Sequence, residues 1–238
     1  MAKPPAQPNQ SLIDGLQVLS ALAIARAPIG SRELARQLNL EPTRANRLLK
    51  TLASLGVARQ TADRKYVSGP AMHVLSVQAI YGSGLLARAV PILQTLLRFN
   101  CAVAMGVLWQ DQVCYLYHAQ PGGDMSQALA VCGLFPAVES GIGIPLLAQL
   151  PTTERARLCA HLSPAEQKRL AAQLHIFATK GYVHLPATGH RAEPALGVAI
   201  GAPAFAGLAL AGPTAQVGAT VMIQALQDAA NQIAALPD

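Results

Sequence analysis

The residues of this chain that could do chemistry form one dense group and several scattered ones. The dense group is cationic and hydrogen-bonding: Thr43, Arg44, Asn46, Arg47 and Lys50 fall within eight residues, and Arg59, Arg64 and Lys65 follow. Guanidinium and ammonium groups bind phosphate oxygens, while Arg, Asn and Thr also bond base edges, so the group suits double-stranded DNA. The first 69 residues hold ten Lys and Arg against four Asp and Glu, and the rest of the 238-residue chain holds eight of each. The whole net charge of +6 therefore sits at the front. A basic segment on a neutral, apolar body implies two parts with different tasks, and only the first suits a polyanion.

Elsewhere the reactive residue types do not assemble. Cys101, Cys114, Cys132 and Cys159 lie 13, 18 and 27 residues apart, without a CxxC pair or zinc-ribbon spacing. They read as buried free thiols in a reducing compartment. His184, His190 and Glu193 match no standard ligand spacing, so no metal site is assigned. Gly122-Gly123-Asp124 reads as a turn. With no GxSxG motif and no acid–base pair at a recognisable spacing, no catalytic residue and no cofactor is expected, and the chain is not read as an enzyme.

The cationic group needs helices to present it. Ser11, with Asp14 three residues on, has the pattern of a capping box opening a first helix, in which Leu12, Leu16, Leu19 and Ala23 repeat at helical spacing. Pro28-Ile29-Gly30 stops it. Ser31 caps a short second helix with Leu34, Ala35 and Leu38 inward, and Asn39-Leu40-Glu41 makes a tight turn. Pro42 starts a third helix that Gly56 ends. Its apolar stripe is Ala45, Leu48, Leu49, Leu52 and Leu55. The opposite face is centred on Thr43, Arg47, Lys50 and Ser54 and flanked by Arg44 and Asn46, as a helix lying in the major groove requires. Residues 57–60 and 65–67 read as two strands of a β-wing, placing Arg59, Arg64 and Lys65 at the phosphate backbone or an adjacent minor groove.

The expected organisation is a disordered tail over residues 1–10, a winged helix-turn-helix domain over 11–69, linker helices over 70–98 and a larger domain over 99–238. The linker pattern (Met72, Leu75 and Ala79, then Leu86, Val90, Leu93 and Leu97) suits either a dimer seam or packing on its own domain. Strands are expected near 101–109, 112–119, 127–133, 182–186, 195–201 and 205–211. Helices are expected near 140–150, 152–162, 164–180 and 214–236, giving an α+β domain. No charged residue occurs between Glu193 and Asp228, but Gly201, Pro203, Gly207 and Gly212-Pro213 cut that stretch into strand lengths rather than a membrane span. No signal peptide is recognised, so a cytoplasmic location is expected. Ser140-Gly141-Ile142-Gly143 can offer amide N–H groups to a ligand or form a simple capping turn. His118 ends an aromatic strand, either as a satisfied sheet-end residue or as a ligand contact.

The run from Ser11 through SRELARQLNLEPTRANRLLKTLASLGVARQ to Tyr66-Val67-Ser68-Gly69-Pro70 resembles the N-terminal domain of the IclR-type transcriptional regulators. Residues 136–148, Lys180-Gly181-Tyr182 and Ala209-Leu210-Ala211-Gly212-Pro213 resemble later segments of that family more loosely. The resemblance implies a winged-helix domain, a linker helix and a GAF-like α/β effector-binding domain, in dimers often paired into tetramers. It also puts Ala209 and Ala211 on one wall of an effector pocket, across from Ser140, Gly141 and Ile142. Alanines stand where the family has serines, and Val138 and Ile144 replace its His and Lys. An apolar or aromatic effector follows from these changes, because a buried carboxylate would lack paired donors.

The function expected is a DNA-binding transcriptional regulator reading a pseudo-palindromic operator and modulated by such a metabolite. A ligand-independent regulator whose second domain only oligomerises is the alternative, and an enzyme with an accessory DNA-binding domain is a further one. No membrane partner is expected.

Overall fold

Asn9, not Ser11, starts the first helix. Its side-chain oxygen accepts the Leu12 N–H at 3.1 Å, and α1 (Gln10–Ile24) runs to the proline-containing break. Helices α2 (Ser31–Gln37) and α3 (Pro42–Ser54) follow, then β1 (Ala58–Gln60), β2 (Tyr66–Ser68) and α4 (Ala71–Ser83). The computed structural model describes residues 6–123, 128, 133–187, 193–212 and 218–235. It divides into two compact units, residues 1–83 and 84–238.

The first unit packs around Val18, Leu22, Leu34, Leu49 and Tyr66, all but excluded from water. Each buried Leu contributes about 1.5–3 kcal/mol by leaving water. The α2–α3 turn places Asn39 at φ 51°, a conformation that asparagine tolerates. β1 and β2 pair antiparallel with Arg59 opposite Val67, and Tyr66 also exchanges two backbone bonds with Ile29 at 2.8 and 3.0 Å. The inward stripe of α1 differs from the one expected. Leu12, Leu16 and Ala23 are exposed, while Asp14, Val18 and Leu22 are buried. The helix is rotated because Asp14 is drawn inward to the Arg44 guanidinium of α3. Leu55, the C-cap of α3, likewise leaves the apolar stripe and is exposed.

Among the described residues of the second unit, six antiparallel strands take the order β5-β4-β3-β8-β7-β6. They are β3 (Ala102–Trp109), β4 (Gln112–Ala119), β5 (Leu134–Pro136), β6 (Val183–Leu185), β7 (Ala195–Gly201) and β8 (Ala204–Ala211). On one face lie α5 (Leu85–Leu96) and α9 (Ala219–Ala234), whose Leu93, Leu96, Met222 and Leu226 meet Val103, Met105 and Leu208. The other face holds α6 (Gly143–Ala148), α7 (Thr152–Leu158) and α8 (Pro164–Lys180). Ser163 and Glu166 form a reciprocal capping box at the start of α8, and Gly181 ends it at φ 73°.

The charge-free stretch is the β7–β8 hairpin, turning at Gly201–Ala204 over a cis Ala202–Pro203 bond. Among the described residues no single helix is long and apolar enough to cross a membrane. The strand expected near 127–133 falls mostly outside the described residues, and the edge strand seen is Leu134–Pro136. Tail residues 1–5, Asp124, Cys132, His190, Pro213 and both ends of the expected 214–236 helix also lie outside them. Helix α6 is shorter than expected because Ser140–Ile142 forms an extended loop and turn before it. The two parts of the expected linker differ. Helix α5 buries Ala89, Leu93 and Leu96 in its own unit, whereas α4 buries no residue although apolar side chains surround it.

Candidate functional site

Pro42 opens α3, where its missing N–H costs nothing. Ala45 and Leu49 anchor one side of the helix in the core, so Thr43, Arg47 and Lys50 stand exposed on the other. Asn46 is half-buried between these faces. Arg44 reaches the first helix as well: its Nε lies 2.5 Å from the buried Asp14 carboxylate. Gln10 Nε2 donates to the same carboxylate at 2.6 Å. Through Nε the guanidinium ties α1 to α3, because a buried carboxylate needs a paired cation.

The wing is built by its own turn. Thr61 N–H and Thr61 Oγ1 both donate to the Lys65 carbonyl, at 2.8 and 3.0 Å. The Thr61 hydroxyl also meets Asp63 and holds its carboxyl below the usual range. Lys65 sits 3.4 Å from Asp63, an exposed pair that offsets its charge without contributing much stability. Arg64 adopts φ 61° at the tip, and Arg59 is exposed on β1. Of the six cations expected at this surface, Arg44 and Lys65 lie in ion pairs, while Arg47, Lys50, Arg59 and Arg64 stand outside the ion pairs found among the described residues.

The expected effector wall is placed differently. Ala104 pairs with both His118 and Ala209, and Ala209 with Gly197, so one row crosses four strands on the face that carries α6. Residues directly opposite in a ladder share a face. Ser140, Gly141 and Ile142 lie against this row, but no space separates them. A Cβ on Gly141 would stand 3.4 Å from the Ala209 Cβ, and one on Gly197 would collide with the Gly141 carbonyl. Gly207 meets Ile142 in the same way. Small residues form a floor on which the loop backbone rests directly. Ser140 spends its hydroxyl on the Ile142 N–H at 3.1 Å. Ala211 is half-buried beside Ala195 and Ala102. His118 stacks on Tyr115 with ring centroids 5.6 Å apart, and burial pushes its pKa down, so the neutral ring is the form held.

Space opens instead a few residues away. A cleft of about 470 Å³ lies between α6, α8 and β6, walled by Ile144, Leu170 and Leu185. Arg169 and Gln173 of α8 line it. Gln173 Oε1 itself is shut off from solvent, with no hydrogen-bond partner among the described residues. Sequence reading missed both residues. The signal was present: Glu166, Arg169, Leu170 and Gln173 stand at i, i+3, i+4 and i+7, one face of a helix. Among the described residues no group of three or more His, Cys, Asp or Glu side chains could hold a metal ion.

Residues 11–62 match the model of the IclR helix-turn-helix domain. The transcriptional repressor IclR of Escherichia coli is 29% identical over 153 residues, 63% of this chain. Among solved structures, an IclR family transcriptional regulator from Brucella abortus superposes with a TM-score of 0.81 at 24% identity, covering 97% of this chain and 94% of that one. The chain carries an IclR-type helix-turn-helix domain and is similar to IclR-type regulators in sequence and fold. The match spans 56% of the length of such relatives, so beyond the shared domain the IclR-type likeness is one of fold. That fold is a winged helix-turn-helix followed by a GAF-like α/β domain. An IclR homolog from Microbacterium hydrocarbonoxydans, complexed with 4-hydroxybenzoate, shares it with a TM-score of 0.66 at 21% identity over 94% of this chain and 97% of its own.

Proposed function

We propose that this protein is a cytoplasmic, DNA-binding transcriptional regulator whose operator binding responds to a small, largely apolar or aromatic effector. The observation that carries the reading is the exposed face of α3, where Thr43, Arg47 and Lys50 stand beside a wing bearing Arg59 and Arg64. In this reading α3 enters the major groove and the wing follows the phosphate backbone. The apolar walls of the α6–α8 cleft support an effector of that chemistry, and the 4-hydroxybenzoate complex of a fold neighbour is a precedent for it. Selection from a random duplex library tests the reading. Recovery of a sequence with two related half-sites is expected, and recovery of no sequence above background would sink it.

Arg64 at the wing tip is a phosphate contact in this scheme. Arg64→Ala should weaken binding to every duplex alike and reduce the slope of log K against log salt by about one. A slope unchanged over a salt titration would remove Arg64 from the interface.

The working form is at least a dimer, with tetramers as pairs of dimers. Helix α4 supports this, since Val74, Val77, Ile80 and Tyr81 are exposed and its own unit offers them no partner face. Light scattering at micromolar concentration should give at least twice the chain mass of 24.8 kDa. A monomer both with and without operator DNA would refute the assignment.

A further inference from the structure

We infer that Arg47 reads a guanine in the operator half-site, through the two acceptors that guanine presents side by side in the major groove. The inference rests on the DNA-binding reading above and names the base that its central residue requires. Arg47 lies midway between the buried Ala45 and Leu49, two residues from each. At about 100° per residue it therefore stands directly opposite the core side of α3. On a helix lying in the groove, that position faces the floor, where the base edges are. Arg44 and Lys50 stand about 60° to either side of it, toward the walls that carry the phosphates.

The Arg47 side chain has nothing to hold it back. It is exposed, and among the described residues no hydrogen bond or ion pair engages it. The acids of this unit are placed elsewhere. Asp14 is buried with Arg44, and Asp63 lies beside Lys65 on the wing. Glu33 belongs to α2, and Glu41 is the N-cap of α3, about a third of a turn round from Arg47. The neighbouring hydroxyls turn back on the helix. Thr51 Oγ1 donates to the Arg47 carbonyl at 3.0 Å, and Ser54 Oγ to the Thr51 carbonyl at 2.8 Å. The group that reaches the floor is thus a guanidinium, a rigid fork of N–H donors that accepts nothing. Guanine meets it with O6 and N7, both acceptors. Adenine sets an N–H donor beside its N7, thymine offers O4 beside a methyl group, and cytosine offers a donor. Guanine alone takes both arms of the fork.

Fluorescence anisotropy of the full chain on a duplex selected by the wild-type protein tests the inference. Repeating the selection with Arg47→Ala identifies the position whose preference depends on Arg47, and guanine is expected there. Replacing that guanine by 7-deazaguanine keeps base pairing but removes N7. Wild-type affinity should then fall about tenfold, the effect of breaking a bidentate contact. Inosine keeps O6 and N7 and should bind as guanine does. Arg47→Ala should not distinguish guanine from 7-deazaguanine. Another base at the Arg47-dependent position, or equal wild-type affinity for guanine and 7-deazaguanine, would overturn the inference. So would a 7-deazaguanine loss that persists in Arg47→Ala, or an equal loss with inosine. Each of these leaves the DNA-binding reading standing, as does a selected site that Arg47→Ala leaves unrelaxed. Selection of no sequence above background by the wild-type protein ends that reading and takes the inference with it.

Discussion

Arg47→Ala should weaken binding to a selected operator by about 1–3 kcal/mol and relax the choice of base at one position. Fluorescence anisotropy on matched and single-substituted duplexes reads both effects. The argument is geometric: Ala45 and Leu49 fix the azimuth of α3, and the exposed Arg47 then projects directly away from the core. Changing Thr43, Arg47 and Lys50 together to alanine should leave only salt-sensitive, sequence-independent affinity. Full selectivity in that triple variant would show that α3 is not the reading element. Arg44→Ala should behave differently, lowering thermal stability more than it changes base choice. It strips the buried Asp14 of its cation, at a cost of about 1–3 kcal/mol once the partial exposure of Arg44 is discounted. If Arg44→Ala instead relaxes specificity without lowering the melting temperature, the Asp14 pair is not its role.

Gly197→Val should destabilise the second unit by at least about 3 kcal/mol, observed as a lower urea midpoint of the full chain. Overpacking a core ordinarily costs about 1–3 kcal/mol because neighbouring side chains can shift. Here the obstacle is the Gly141 backbone carbonyl, which cannot move without lifting the Ser140–Ile142 loop from the sheet. Gly82→Ala is the matched control. Nothing lies within 4 Å of a Cβ at that helical position, so the change should stabilise by about 0.5–1 kcal/mol. A Gly197→Val protein with an unchanged midpoint would mean that the loop does not rest on the floor described.

Much of the architecture was legible because its signals are local. Strand β4 at Gln112–Ala119, β7 at Ala195–Gly201 and helix α8 at Pro164–Lys180 occupy the spans expected from apolar periodicity bounded by turn residues. The α2–α3 turn and the exposed Thr43, Arg47 and Lys50 follow from the same reasoning. The failures are non-local. The phase of α1 depends on a partner 30 residues away, because Asp14 is buried only with Arg44 in place. Hydropathy alone instead turned Leu12 and Leu16 inward. The loop resting on the sheet is a second non-local feature, since alternating small residues at Gly197, Gly207 and Ala209 announce a close backbone approach without naming what approaches. The cleft escaped notice because its walls come from three separated segments.

The Asp14–Arg44 pair also has a thermodynamic consequence. Mobile ions screen charges across solvent but act weakly on a pair whose acid is shut away from water. Raising ionic strength will therefore displace phosphate contacts while leaving the setting of α3 against α1 unaltered. The logarithmic salt dependence of this protein's affinity should be a straight line that counts only the cations touching the duplex. Base preference, measured as a ratio between two sequences, should stay constant along that line.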